Sequence, residues 1–259
     1  MSVGDMLVTL PVWYQLSLAV ALGAIWGSFV AALCSRWPRG AQISGGRSRC
    51  DSCQKTLTIK DLVPVLSYVL LKGKCRYCGR RIGEGALYIE IASAAIGGIA
   101  MLALAEGQAV SAAIFGWLLL PLAILDHQHL WLPNRLILLL ALAGLLFGPA
   151  LTPDISWLDR LMAATLGFLS LETIRQVFKK IRNVDGMGGG DPKLFGALGI
   201  WLGWQLLPMT LLLSCFLGFA YIFVFRRHGG ISEMQLPFGS FMCVGAFAVA
   251  VASCPVLAN

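Results

Sequence analysis

Two aspartates stand where long apolar stretches meet short polar segments. Asp126 lies in Leu125-Asp126-His127-Gln128-His129-Leu130-Trp131-Leu132-Pro133-Asn134, and Asp191 follows glycines in Gly186-Met187-Gly188-Gly189-Gly190-Asp191-Pro192-Lys193. A carboxylate beside so much hydrocarbon is costly and marks a functional site by default. Two carboxylates held a few ångströms apart share a single proton. The ionised member can then deprotonate a water while the protonated one polarises a peptide carbonyl. That is aspartic-protease chemistry, and it needs neither a metal nor a covalent nucleophile. The glycines fit the scheme, because they permit positive φ and close backbone approach. Gly188, Gly189 and Gly190 could hold an extended substrate beside Asp191, which an intact helix in lipid cannot offer. The plainer alternative makes Asp191 the N-cap of a helix that begins at Pro192. Chemistry alone leaves both readings open.

A second constellation is metal-like. Cys50-Asp51-Ser52-Cys53 and Cys75-Arg76-Tyr77-Cys78 are two Cys-x2-Cys knuckles separated by twenty-one residues. This is the zinc-ribbon pattern, with a gap just beyond the usual ~15–20 residues. Four thiolates complete a tetrahedron around Zn²⁺ and leave no position for an activated water, so such a metal is structural. Arg49, Lys74, Arg76 and Arg80 favour the thiolate form. A redox pair or disulfides compete with this reading, but a reducing compartment disfavours them. Cys34, Cys215, Cys243 and Cys254 are in or beside apolar stretches and read as packing residues.

The elements that must position these groups are membrane helices. Charged residues are 13% of the 259, about half the usual ~25% of a soluble domain, and mean hydropathy is +0.77. Eight apolar segments are long enough to span a bilayer core, at about 11–33, 86–105, 108–125, 136–151, 158–178, 193–207, 209–225 and 238–256. The expected fold is an all-α polytopic membrane protein of about eight transmembrane helices, with one four-cysteine zinc-ribbon loop. Its segments are a first span at 1–33, a cytoplasmic zinc loop at 34–84 and a catalytic helical bundle at 85–259. No Lys or Arg precedes Arg36, so the first span reads as a retained helix rather than a signal peptide. Eleven of the twenty basic residues fall in 34–84. Cytoplasmic loops keep Lys and Arg, so both termini are expected outside, with only Arg160 among the basic residues on that side. Asp126 and Asp191, 65 residues apart, then share the cytoplasmic face. The net charge of +7 reads as this orientation signal, with no nucleic-acid partner.

Other polar residues in or near the spans have bland readings. His127 and His129 read as interfacial, and Glu172 has Arg175 as an i,i+3 partner. Glu90 has no local partner and is the better candidate for a functional contact.

Several strings together resemble the type IV prepilin peptidase family. Gly23-Ala24-Ile25-Trp26-Gly27-Ser28-Phe29 with Arg36-Trp37-Pro38 is similar to its first-span signature. Arg47-Ser48-Arg49-Cys50, Val63-Pro64-Val65-Leu66-Ser67-Tyr68 and Lys72-Gly73-Lys74-Cys75 resemble its zinc loop. Asp126 with Leu132-Pro133-Asn134, and Gly188-Gly189-Gly190-Asp191 with Lys193 and Ala197-Leu198-Gly199, resemble its two catalytic motifs. Leu236-Pro237-Phe238-Gly239 resembles its last cytoplasmic turn. The resemblance implies an intramembrane aspartic protease with Asp126 and Asp191 as catalytic dyad. Gly188, Gly189, Gly190, Lys193 and Glu90 become candidates for positioning the substrate. It also implies a substrate, a type IV prepilin or pseudopilin whose basic leader is cut at the cytoplasmic face of the bacterial inner membrane. A structural Zn²⁺ and N-methylation of the new terminus, usually Phe, with S-adenosyl-L-methionine follow from the resemblance alone. Pro192 departs from the family's usual residue after the catalytic aspartate, and Gly83-Glu84-Gly85-Ala86 departs from its lead-in to Glu90. A peptidase without methyltransferase activity remains open. So does a proton-coupled transporter, although the internal repeat such a transporter favours is not visible.

Overall fold

The computed structural model describes residues 11–40, 49–50, 52–183, 186–226 and 236–253. Arg47, Ser48, Asp51 and Cys254, all used above, lie outside the described residues. The chain forms two compact units, Met1–Leu102 and Ala103–Asn259. The division falls one helix later than position 84, so the second apolar segment belongs with the cysteine loop.

In the first unit, α1 (Val12–Arg36) runs into a 3₁₀ turn, Trp37–Arg39. The cysteine segment follows, with the short α2 (Leu66–Leu70), and α3 (Gly85–Ala103) closes the unit. Without a hydrophobic force between helices in lipid, small residues set how closely helices pack. Gly23 and Gly27 do this for α1 and α3. A Cβ at Gly23 would lie 2.5 Å from the Ser93 carbonyl oxygen, and one at Gly27 would lie 2.7 Å from Glu90 Cα.

The second unit holds α4 (Glu106–His129), α5 (Asn134–Leu151), α6 (Trp157–Arg182), α7 (Asp191–Arg226) and α8 (Phe238–Ala252). α6 starts at Ser156, whose Oγ accepts the Asp159 N–H, and carries Lys179, Lys180 and Arg182 in its last turn. Cations there suit the helix dipole. α7 is broken at Gly203, with φ 66° and ψ 177°, a conformation essentially reserved for glycine. The two arms bend toward the same stretch of α6. Phe195 of the first arm and Leu207 of the second both approach Gly167 on α6 within 3.4 Å of where its Cβ would be. On a straight helix those two residues would be about 18 Å apart.

Five described helices are long and apolar enough to cross a membrane: Val12–Arg39, Gly85–Ala103, Gly107–His129, Asn134–Leu151 and Asp191–Val224. Phe238–Ala252 is apolar but shorter, and α6 has more charge. Within the described residues the eight expected segments fall on helices, apart from 11, 104–105 and 253; positions 254–256 lie outside the described residues. The divide between the sixth and seventh moves from Pro208 to Gly203. Pro208 sits about one turn into the second arm, where its missing N–H removes little helix bonding.

Candidate active site and metal centre

Asp126 occupies the last turn of α4. The helix stops because Leu130 turns left-handed (φ 50°, ψ 38°) and gives its N–H to the Asp126 carbonyl at 2.8 Å. The Asp126 side chain points instead at the start of α8. Its Oδ2 accepts the Ser240 N–H at 2.6 Å, with Ser240 Oγ at 3.1 Å. A carboxylate at a helix N-terminus is favoured by unsatisfied N–H groups and by the dipole.

Asp191 opens α7, and its carboxylate turns back toward the loop rather than into the helix. Oδ2 accepts the Gly188 N–H at 3.1 Å. The N-cap alternative therefore does not describe this side chain, because a cap bonds the N–H groups ahead of it. Asp126 and Asp191 are both 5% exposed, and they lie within Coulombic reach of one another and of the buried Cys243 thiol. Each carboxylate has its Oδ2 held by a backbone N–H. Two buried carboxylates so held can divide the roles of base and acid on a water and a peptide.

Close approach brings the two aspartate segments together. A Cβ at Gly190 would lie 2.6 Å from the Leu132 Cβ, and one at Gly239 would lie 2.9 Å from Leu132 Cδ1 and 3.0 Å from Asp126 Cγ. Leu132 thus wedges between them, and a side chain at either glycine would force the site apart. None of Gly186, Gly188, Gly189 or Gly190 adopts positive φ. The run works through proximity, not through left-handed backbone. Gly188 and Gly189 flank the carboxylate on the loop side, both of them exposed. Lys193 is exposed and donates from Nζ to Asn134 Oδ1 at 3.0 Å, tying the second aspartate segment to the first.

The remaining polar candidates have other settings, although Arg175 Nη1 comes within 3.8 Å of where a Gly189 Cβ would be. His127 and His129 are exposed at the end of α4. Glu172 is engaged by Arg175 through Nε at 3.0 Å and Nη2 at 2.7 Å, and by Gln176 at 2.8 Å. Glu90 belongs to the first unit and is buried, accepting the Val65 N–H at 2.7 Å. Val65 stands at φ 59°, ψ −51°, in a tight turn closed by the Leu66 N–H on the Pro64 carbonyl. A β-branched residue there is strained, and the Glu90 carboxylate is the acceptor that holds it. Its partner was invisible locally because it is 25 residues away.

The four cysteines converge in the first unit. Their sulfurs all lie within 4.8 Å of one another, and Cys50 Sγ and Cys78 Sγ are 3.9 Å apart. Zn–S bonds of about 2.3 Å in a tetrahedron require S···S near ~3.8 Å, so the donor set fits that metal. The knuckles are built alike. Gln54 and Gly79, each just after the second cysteine, take positive φ and return their N–H groups to the carbonyls of Cys50 and Cys75. The N–H groups of Cys53 and Ser52 draw the Cys50 thiol down to about 6. Between the knuckles, Asp61 accepts from Thr58 Oγ1 and N–H and from Arg76 Nε at 2.7 Å. These partners, the Thr58 hydroxyl foremost, hold its carboxyl below the usual range.

Sequence reasoning missed Ser240 and gave Arg160 no partner. Ser240 follows the Leu236-Pro237-Phe238-Gly239 turn directly, at a helix start where serine is a capping signal. Arg160, inside the expected span 158–178, is fully buried. Its guanidinium donates to the carbonyls of Ile200, Trp201 and Thr152 and to Thr152 Oγ1.

Comparison with known proteins agrees with this division of the chain. Residues 21–104 match the bacterial peptidase A24 N-terminal domain, and residues 113–223 match the type IV leader peptidase family. A Burkholderia pseudomallei (strain K96243) protein named prepilin leader peptidase/N-methyltransferase is 35% identical, over 92% of this chain and 86% of its own. Proteins of the same name are 31% identical in Pseudomonas putida (90% and 89% covered) and 36% identical in Klebsiella pneumoniae (74% and 87%). No solved structure matches.

Proposed function

The chain belongs to the type IV leader peptidase family, and from that premise we propose that it cleaves the basic leader from type IV prepilins or pseudopilins. It then N-methylates the new terminus, usually Phe, with S-adenosyl-L-methionine. The observation that carries the hydrolytic half is the convergence of Asp126 and Asp191, buried together with one oxygen of each held by a backbone N–H. The ionised aspartate takes a proton from water, whose oxygen bonds to the peptide carbon, while the other aspartate, which carries the pair's shared proton, gives that proton to the carbonyl oxygen. Collapse breaks the C–N bond and returns a proton to the leaving amine. Among the described residues neither unit shows a feature that places the methyl donor, and that half rests on the family.

The dyad works at the cytoplasmic face of the inner membrane, with both termini periplasmic, as the distribution of Lys and Arg supports. Gly188, Gly189 and Gly190 position an extended substrate next to Asp191, Gly189 by its exposed backbone and Gly188 and Gly190 through the way they seat the loop on Asp191 and Leu132. Lys193 and Glu90 act on substrate position through the segments they tie down. Cys50, Cys53, Cys75 and Cys78 hold a structural Zn²⁺. Purified protein is expected to carry about one zinc per chain, as a closed site of four thiolates does. Cys75→Ser should lose it, as read by metal analysis, and no zinc in the parent protein would remove this part of the reading.

The deciding experiment incubates purified enzyme with a prepilin and isotope-labelled S-adenosyl-L-methionine, then weighs the product's N-terminus. A shortened product carrying one labelled methyl group is expected. A shortened but unmethylated product would remove the methyltransferase and keep the peptidase. An unshortened prepilin would overturn the proposal in favour of a transporter-like use of the carboxylates.

A further inference from the structure

Asp126 has a partner that a bare pair of aspartates does not require. Ser240 gives its N–H to Asp126 Oδ2 at 2.6 Å, and its Oγ lies 3.1 Å from the same oxygen. That Oγ is also 2.8 Å from the carbonyl oxygen of Ala123, on the turn of α4 preceding Asp126. A hydroxyl has one proton to donate. It therefore serves the carboxylate or the Ala123 carbonyl, and it can change between them by rotating about one bond. The N–H has no such freedom and always serves Oδ2. On the other aspartate, the Gly188 N–H holds Oδ2 in the same way, but glycine brings no hydroxyl with it.

We propose that Ser240 is a positioning residue for hydrolysis, which fixes Asp126 by Oδ2 so that proton exchange with water runs through Oδ1. Its hydroxyl follows the charge on Asp126. It donates to Oδ2 while the carboxylate is ionised and turns to Ala123 when Oδ1 holds a proton. The water's O–H bond breaks, its proton goes to Oδ1, and its oxygen adds to the peptide carbon, so Ser240 itself gains and loses nothing. The geometry is set by the fold. Gly239 lets the start of α8 come within contact of Asp126, and Ser240 in the first turn of α8 delivers both donors. The inference rests on the reading of Asp126 and Asp191 as the hydrolytic pair.

The test measures leader cleavage by Ser240→Ala, Ser240→Thr, Ser240→Cys and, alongside them, Asp126→Asn. Alanine keeps the N–H and loses the hydroxyl. Its kcat is expected to fall about ten- to a hundredfold, the scale of one hydrogen bond to a charged group, with KM and melting temperature unchanged. Threonine restores the hydroxyl and should recover most of the rate. Cysteine keeps the volume with a weaker donor and should fall between them, which preserves the test if the alanine variant does not accumulate. Parent-level kcat in the alanine or cysteine variant would overturn the proposal, as would a loss confined to KM or an equal loss in alanine and threonine. Cleavage surviving in Asp126→Asn would instead remove the hydrolytic pair itself, so the two failures are told apart.

Discussion

Asp126→Asn and Asp191→Asn are each expected to lower the rate of leader cleavage by about 10²–10⁴-fold, the contribution of a positioned general acid or base. The protein should still accumulate in the membrane. Asparagine keeps the volume and one carbonyl oxygen, so the N–H groups of Ser240 and Gly188 retain their acceptors. What is lost is the ability to take or give a proton. The pair works as a unit, and residues that do so are strongly non-additive. The double variant should therefore be little slower than the slower single one. Quantified cleavage of a prepilin in membranes containing matched amounts of each variant measures this. Cleavage near the parent rate in both single variants would sink the aspartate mechanism, and multiplying losses would mean that the two residues act independently.

The parts of this site that were legible in the sequence share a physical reason. Asp126 and Asp191 stand out because a carboxylate beside an apolar run has few innocent explanations. The cysteine knuckles stand out because each makes two ligands on one tight turn, a purely local arrangement. The contacts that aim the carboxylates are not local. Ser240 is 114 residues from Asp126, and Asn134 is 59 from Lys193. No periodicity or propensity connects such pairs.

Two local rules also gave an incomplete picture. The expected spans 193–207 and 209–225 meet at Pro208, yet the helix breaks at Gly203, where a positive φ suits glycine. The glycine run before Asp191 looked like a source of unusual φ. Gly190 matters instead because Leu132 occupies the place of a side chain. Glycine's two uses, freedom and absence, cannot be separated until the neighbours are known.

Arg160 has a structural role that the sequence did not announce, and Arg160→Met should expose it. The break at Gly203 leaves the first arm of α7 ending inside the protein, with the carbonyls of Ile200 and Trp201 deprived of helical partners. In lipid such groups need another donor. Arg160 supplies it, donating to Ile200 at 2.9 Å and to Trp201 at 3.1 Å, while Thr152 Oγ1 reaches Trp201 at 3.0 Å. Among the described residues no carboxylate lies in salt-bridge range of Arg160, so the charge is held by carbonyl dipoles at a helix C-terminus. Methionine removes the cost of burying a cation but orphans the Ile200 and Thr152 carbonyls. Each buried acceptor left unpaired costs about 1–3 kcal/mol, so a net loss of roughly 2–4 kcal/mol is expected. Thr152→Val removes only the hydroxyl bridge and should cost less. Because Asp191 begins the arm that Arg160 ends, cleavage should fall with stability in Arg160→Met. Denaturant unfolding in detergent, paired with prepilin cleavage, measures both. A stability change under about 0.5 kcal/mol, the usual range of a substitution that breaks nothing, would show that the broken helix does not depend on this cap.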